Sequence, residues 1–213
     1  MGAEIPKQYL PLAGRSVLEH SLARLAEVPA VRGIVVGLAP GDTHFSGLAP
    51  NPKLLATCIG GAERSATVRR GLECLRAHAG PEDWVLVHDA ARPCVRVGDI
   101  EKLLAAVAQH PDGGILGTPV TDTMKRTDAH DRIVETVPRV RLWRGLTPQA
   151  FRLQPLLEAL VRAERDGVPV TDEASAMEHA GARPIMVAGH PDNIKITVPE
   201  DLVLAERLLS QVK

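Results

Sequence analysis

The stretch Trp84-Val85-Leu86-Val87-His88-Asp89-Ala90-Ala91-Arg92-Pro93 carries a short, strongly apolar strand directly into a loop of charged and small residues. In an open α/β sheet, ligands collect at the carboxyl ends of the strands, which is where this loop falls. An aspartate at that position, followed by two alanines, can hold a divalent metal while a phosphate approaches the backbone closely. The same residues also suit a strand-ending turn with a surface Asp89–Arg92 pair, and spacing does not choose between the two.

Outward from this strand, apolar runs and helical periodicities alternate. Towards the N-terminus, Ser16-Val17-Leu18-Glu19 reads as a capping box, with Leu18, Leu22 and Leu25 following at helical spacing. Ile34-Val35-Val36 is a β-branched strand ended by Pro40-Gly41, and a weaker strand is expected over 54–58, closed by Gly60-Gly61. Ser65 is placed to cap a helix carrying Val68, Leu72 and Leu75. Towards the C-terminus, Asp99 is placed to cap a helix burying Ile100, Leu103, Leu104 and Val107, and a strand returns over 115–120. Thr147-Pro148 reads as the cap and first-turn proline of a helix with Phe151, Leu156, Leu157 and Leu160. Thr171 or Asp172 caps a shorter helix, strands are expected over 184–187 and 194–197, and Pro199 opens a last helix. This alternation predicts an α/β fold, a Rossmann-like, mostly parallel sheet with helices on both faces. One stretch departs from it: two extended pieces over 123–126 and 132–137 flank a polar segment, as a hairpin arm leaving the sheet would. The expectation is one domain over 1–213 with an excursion at about 121–144.

Bulk composition narrows the partners. With 25 basic and 26 acidic side chains among 213 residues, no broad electrostatic surface for nucleic acid or membrane is expected. Aromatic residues make up only 2%, which argues against stacking platforms for single strands. Cys58, Cys74 and Cys94 show no C-x-x-C spacing, which removes the obvious zinc and redox motifs and fits a reducing cytoplasm. No apolar run reaches membrane-spanning length and no signal-peptide core is visible, so a cytoplasmic location is expected.

A second anion-receptive segment is Gly60-Gly61-Ala62-Glu63-Arg64-Ser65, between a strand and a helix N-terminus, although a tight turn with a cap explains the same residues. Lys195 lies within an apparent strand, where an inward ammonium needs a partner, and a solvent-facing lysine is the ordinary alternative. Arg139, Arg141 and Arg144 could simply solvate the arm.

Taken in order, several of these segments resemble one family. They are Pro6-Lys7-Gln8-Tyr9, Leu18-Glu19-His20-Ser21, Gly60-Gly61…Arg64, Val87 through Pro93, Asp122-Thr123-Met124-Lys125, Leu146-Thr147-Pro148-Gln149, Thr171-Asp172-Glu173-Ala174 and Asp192-Asn193-Ile194-Lys195. Each is weak alone; the ordered set closely resembles the 2-C-methyl-D-erythritol 4-phosphate cytidylyltransferases. The resemblance implies transfer of CMP from CTP to 2-C-methyl-D-erythritol 4-phosphate with release of pyrophosphate, in non-mevalonate isoprenoid precursor biosynthesis. It also implies a divalent metal such as Mg²⁺ and a homodimer joined by extended arms. It implies that Lys7 and Lys195 stabilise charge on the nucleotide phosphates, and that Asp89 is the metal-associated carboxylate, followed by Ala90 and Arg92. Gly61 and Ala62 match the backbone that reads the cytosine, with Thr67 where the family has serine. Thr123 and Arg139 match arm residues presented to the neighbouring subunit's substrate, and Thr147 and Asp172 match the sugar-phosphate pocket. In-line attack on phosphorus between two anionic partners needs positioning and charge neutralisation rather than a covalent nucleophile. Two other functions carry the same motifs: a cytidylyltransferase for another polyol phosphate such as ribitol 5-phosphate, and a non-catalytic dimer.

The family's opening strand and Ala-Ala-Gly-x-Gly-x-Arg-Met loop have no counterpart ahead of Lys7, and Met1 aligns with the loop's closing methionine. The expectation from this departure is an internal methionine at position 1, unpaired edges on the strands beside the lost one, and weak CTP binding.

Overall fold

The computed structural model describes residues 5–211, so the reading of Met1 lies outside the described residues. Near the N-terminus a two-residue antiparallel pair, β1 (Pro11–Leu12) with β2 (Arg15–Ser16), leads into helix α1 (Val17–Glu27). The capping box is formed as the sequence requires: Ser16 Oγ accepts from the Glu19 N–H, and Glu19 accepts from the Ser16 N–H at 2.7 Å. Strands β3 (Ile34–Leu38) and β4 (Leu54–Ile59) pair in parallel, and helix α2 (Arg64–Leu75) follows. Ile34 and Val36 pack on Leu18 and Leu22 of α1.

The larger sheet holds β5 (Trp84–Val87), β6 (Gly114–Pro119), β9 (Trp143–Arg152) and β10 (Ile185–Ala188), in the order β10-β6-β9-β5. Helix α3 (Val97–Val107) lies between β5 and β6 in the chain. Helices α4 (Leu153–Arg165) and α5 (Glu173–His179) separate β9 from β10, and α6 (Pro199–Gln211) closes the order. β10 runs parallel to β6, while β9 runs antiparallel to both β6 and β5.

Alternation along these strands builds two cores. Ile115 and Phe151 point to one face, against Leu153, Leu156 and Leu160 of α4 and Met177 of α5. Leu116 and Ala150 point to the other, against Ile100, Leu103 and Val107 of α3. Helices therefore cover both faces, as the apolar runs imply. At Gly113 (φ 76°), an added Cβ would lie 2.4 Å from the Phe151 ring, so this close approach requires glycine.

Four local expectations are corrected. Thr147-Pro148 does not start a helix: it lies within β9, and α4 begins only at Leu153 with Arg152 at its cap. Gln149 and Ala150, directly after it, pair with β5 on one side and β6 on the other, and that pairing outweighs the local cap signal. Residues 194–197 form no strand, although Ile196 N–H donates to Ala91 O. The α2 cap is Glu63 rather than Ser65, and the α3 cap is Arg96 rather than Asp99. Asp99 instead turns its buried carboxylate to His190.

The excursion is a hairpin, β7 (Met124–Thr127) with β8 (Ile133–Val137), largely exposed and, among the described residues, paired only with each other. Among the described residues, β3 pairs only with β4, and β5 only with β9.

Candidate functional site

The loop after β5 is where the chain concentrates charge. Asp89 Oδ1 accepts from Arg64 Nε at 2.9 Å, and Lys195 Nζ lies 3.0 Å from Oδ2. Arg92 Nε stands 3.5 Å from the same oxygen. Burial would raise the Asp89 carboxyl, but Arg64 and Lys195 outweigh it and hold the group well below the usual carboxylate range. Lys195, for which the sequence left inward and solvent-facing readings open, therefore has an anionic partner while staying partly exposed, although no strand carries it.

Three segments hold this loop rigidly. The Thr147 hydroxyl accepts from the Asp89 N–H at 3.1 Å and lies 3.0 Å from His88 Nδ1. His88 Nε2 is 3.0 Å from Arg92 O, a carbonyl that can only accept, so Nε2 carries the proton and Thr147 donates to Nδ1. Burial keeps this imidazole neutral and pushes it down to about 4. Asn193 donates from Nδ2 to Thr147 O at 2.7 Å, and its own carbonyl accepts from Arg92 at 2.7 Å. Ala90 O accepts from the Ser21 hydroxyl of α1.

Arg64 is the bridge to a second carboxylate. Its terminal nitrogens lie 2.5 and 3.1 Å from the two oxygens of Glu173, whose side chain is 0% exposed at the start of α5. Burial alone would lower the Arg64 guanidinium, yet Glu173 and Asp89 hold it above its ordinary value. Burial pushes Glu173 up, against the pull of Arg64. Sequence reasoning names Arg64 and Glu173 only as members of motifs and gives neither a role in the site. Both stand inside motifs that are legible there, but the contact joins positions 109 apart.

The Gly60-Gly61 turn is closed from within. Thr67 Oγ1 accepts from the Gly61 N–H at 3.0 Å and donates to Glu63 O at 3.1 Å. A Cβ on Gly61 would meet Ala66 Cβ at 2.4 Å. Ala62 next to it is exposed. Asp172 caps α5 by accepting from the Ser175 N–H, and its other oxygen accepts from Gln149 Nε2 at 2.8 Å.

Of the residues singled out in the sequence, the structure thus brings Asp89, Ala90, Arg92, Thr147 and Lys195 together. Gly61, Ala62 and Thr67 adjoin through Arg64, and Asp172 adjoins through Glu173. Lys7 opens a short 3₁₀ turn (Lys7–Tyr9), and no ion pair joins it to Asp89 among the described residues. Thr123 and Arg139 stand apart, exposed at the base of the hairpin, where Arg139 donates to Thr121 O.

For a divalent cation, the donor set is a single carboxylate. Among the described residues no group of three or more His, Cys, Asp or Glu side chains could form a cage. One carboxylate fits Mg²⁺ shared with nucleotide phosphates and water, which rarely uses an all-protein site. Chemically, a carboxylate ringed by three cations at the carboxyl ends of the strands can bind and reorganise polyphosphate.

Comparison with known proteins points the same way. The family model for 2-C-methyl-D-erythritol 4-phosphate cytidylyltransferase matches residues 1–211. The protein of that name from Hahella chejuensis is 49% identical over 213 residues, covering 100% of this chain and 88% of its own. Its namesake from Aeromonas hydrophila is 51% identical, covering 99% of this chain and 85% of its own. The crystal structure of the Francisella tularensis protein of that name superposes with a TM-score of 0.86 at 34% identity, covering 96% of this chain and 94% of that one.

Proposed function

We propose, from the premise that this chain belongs to the 2-C-methyl-D-erythritol 4-phosphate cytidylyltransferase family of nucleotidyltransferases, that it transfers CMP from CTP to 2-C-methyl-D-erythritol 4-phosphate at the Asp89 loop. The observation that carries this reading is the set of three cations around one carboxylate, Arg64, Arg92 and Lys195 on Asp89. An oxygen of the sugar phosphate attacks the α-phosphorus of CTP; the new P–O bond forms as the bond to the β-phosphate oxygen breaks, and pyrophosphate leaves. No covalent enzyme intermediate is needed.

Lys195 and Arg92, each partly matched by Asp89, supply positive charge to the phosphates as negative charge builds on the leaving group. Lys7 is the second catalytic lysine, reaching the triphosphate from the 3₁₀ turn. Gly61 and Ala62 offer backbone to the cytosine, beside a turn that Thr67 keeps in shape. Thr147 and Asp172 border the sugar phosphate. Mg²⁺ would take Asp89 as its protein carboxylate and neutralise phosphate charge.

The hairpin supports a homodimer. It exposes Met124, Ile133 and Val134, with Val140 close by in sequence, a set of apolar side chains that a second copy would cover. In that arrangement Thr123 and Arg139 serve the neighbouring subunit's sugar phosphate. No helix among the described residues is long and apolar enough to cross a membrane, and the three free cysteines fit a reducing cytoplasm.

The test is pyrophosphate release from CTP, Mg²⁺ and 2-C-methyl-D-erythritol 4-phosphate, beside ribitol 5-phosphate. Release dependent on the methylerythritol phosphate supports the reading. Preference for ribitol 5-phosphate, or release with neither, overturns it.

A further inference from the structure

Glu173 is a carboxylate taken entirely out of water, and nothing in the transfer reaction uses it directly. It opens α5, where the helix dipole favours a negative charge, and it grips both terminal nitrogens of Arg64. A forked, planar guanidinium held at two points has a fixed plane, so the direction of its Nε–H is fixed as well. That third donor is the one that meets Asp89 Oδ1, while Oδ2 is left to Lys195 and Arg92.

A buried ion pair of this kind is a poor device for stability, because an apolar pair of similar volume commonly does as well or better. Its geometry suits a different purpose. Arg64 and Glu173 tie the turn after β4 and the start of α5 to the one carboxylate at the centre of the cluster.

We propose that Arg64 and Glu173 are positioning residues that act through Asp89: Glu173 sets the plane of Arg64, and Arg64 sets the orientation in which Asp89 faces Lys195 and the reacting phosphates. This rests on the cytidylyltransferase reading above. Arg64, matched by two carboxylates, orients; Lys195 and Arg92 remain the groups that meet the substrate.

The decisive variant is the double replacement Arg64→Met with Glu173→Leu, which removes both charges at similar volume. It is assayed by pyrophosphate release beside the unaltered chain, with thermal melts of both. The expected result is a folded protein whose kcat falls roughly 30- to 100-fold, as for a misplaced reacting group, while KM for CTP stays within about three-fold. A folded double variant with kcat within about three-fold of the unaltered chain overturns the proposal, because a merely structural pair would leave turnover intact. If the double variant does not fold, Arg64→Lys keeps the charge and loses the fork. Lower kcat at constant KM then supports the proposal, and a raised KM at constant kcat overturns it. An unaltered chain that releases no pyrophosphate overturns the functional reading and this inference with it, whereas an active chain beside an active double variant removes the inference alone.

Discussion

Lowering the pH should loosen the Asp89 loop through His88, a group that the chemistry does not touch. The imidazole stands behind the loop with both nitrogens engaged, Nδ1 to Thr147 and Nε2 to Arg92 O. Burial lowers its value from 6.5 to about 4. With the folded value below the unfolded one, the unfolded chain binds the extra proton first as pH falls. Stability is therefore lost between these two values and is complete above the upper one. Linkage gives a loss of about 2 kcal/mol at pH 5, rising to about 3 kcal/mol below pH 4. His88→Gln keeps an N–H donor and cannot titrate, so it isolates this effect. At pH 7 the variant should be less stable by about 1 kcal/mol, for the lost Thr147 bond. At pH 5 it should equal or exceed the unaltered chain, which for a protein of this size corresponds to a relative gain of about 4–8 °C in Tm. Urea unfolding of both proteins at the two pH values measures it. A stability gap that stays constant to within about 0.5 kcal/mol between pH 7 and pH 5 would refute the buried neutral imidazole.

Lys7→Ala should cut kcat by at least about 100-fold, since it removes a charge aimed at the transition state; turnover within a few-fold of the unaltered chain would sink its catalytic role. Arg139→Ala should raise KM for the sugar phosphate by about ten-fold, the loss of roughly 1.4 kcal/mol of binding, and leave KM for CTP nearly unchanged. Equal effects on both substrates count against an arm-borne contact. Gly61→Ala places a methyl group against Ala66 at the start of α2; the helix must shift, and KM for CTP should rise by about ten-fold or more. Unchanged CTP kinetics would show that this turn does not face the nucleotide.

Local rules account for much of the architecture. The capping box at Ser16, the cap read at Thr171 or Asp172, the apolar run over 84–87, and the helical spacing of Leu156, Leu157 and Leu160 each depend on near neighbours, and each element forms, with Asp172 as the cap of α5. The same holds for the two extended pieces of the hairpin. The ordered motifs also place the charged loops at strand ends, because strand termini and turn residues can be read one segment at a time.

Tertiary structure decided what those segments do to one another. Thr147-Pro148 carries a sound helix-start signal, yet β6 pairs with the residues before it (143–145) and after it (149–150), and β5 pairs from Gln149 onward; this keeps the segment extended, with Thr147 against Asp89 and His88. Lys195 has a partner because the loop after β10 folds back to β5, and no periodicity in residues 194–197 encodes that. The Arg64–Glu173 pair joins two motifs that look like separate helix starts in the sequence. Caps and amphipathic faces are set by residues within a turn or two of each other, so the chain displays them directly. The orientation of a buried charge depends on which distant partner removes its cost of leaving water, and only the packed molecule brings that partner within reach.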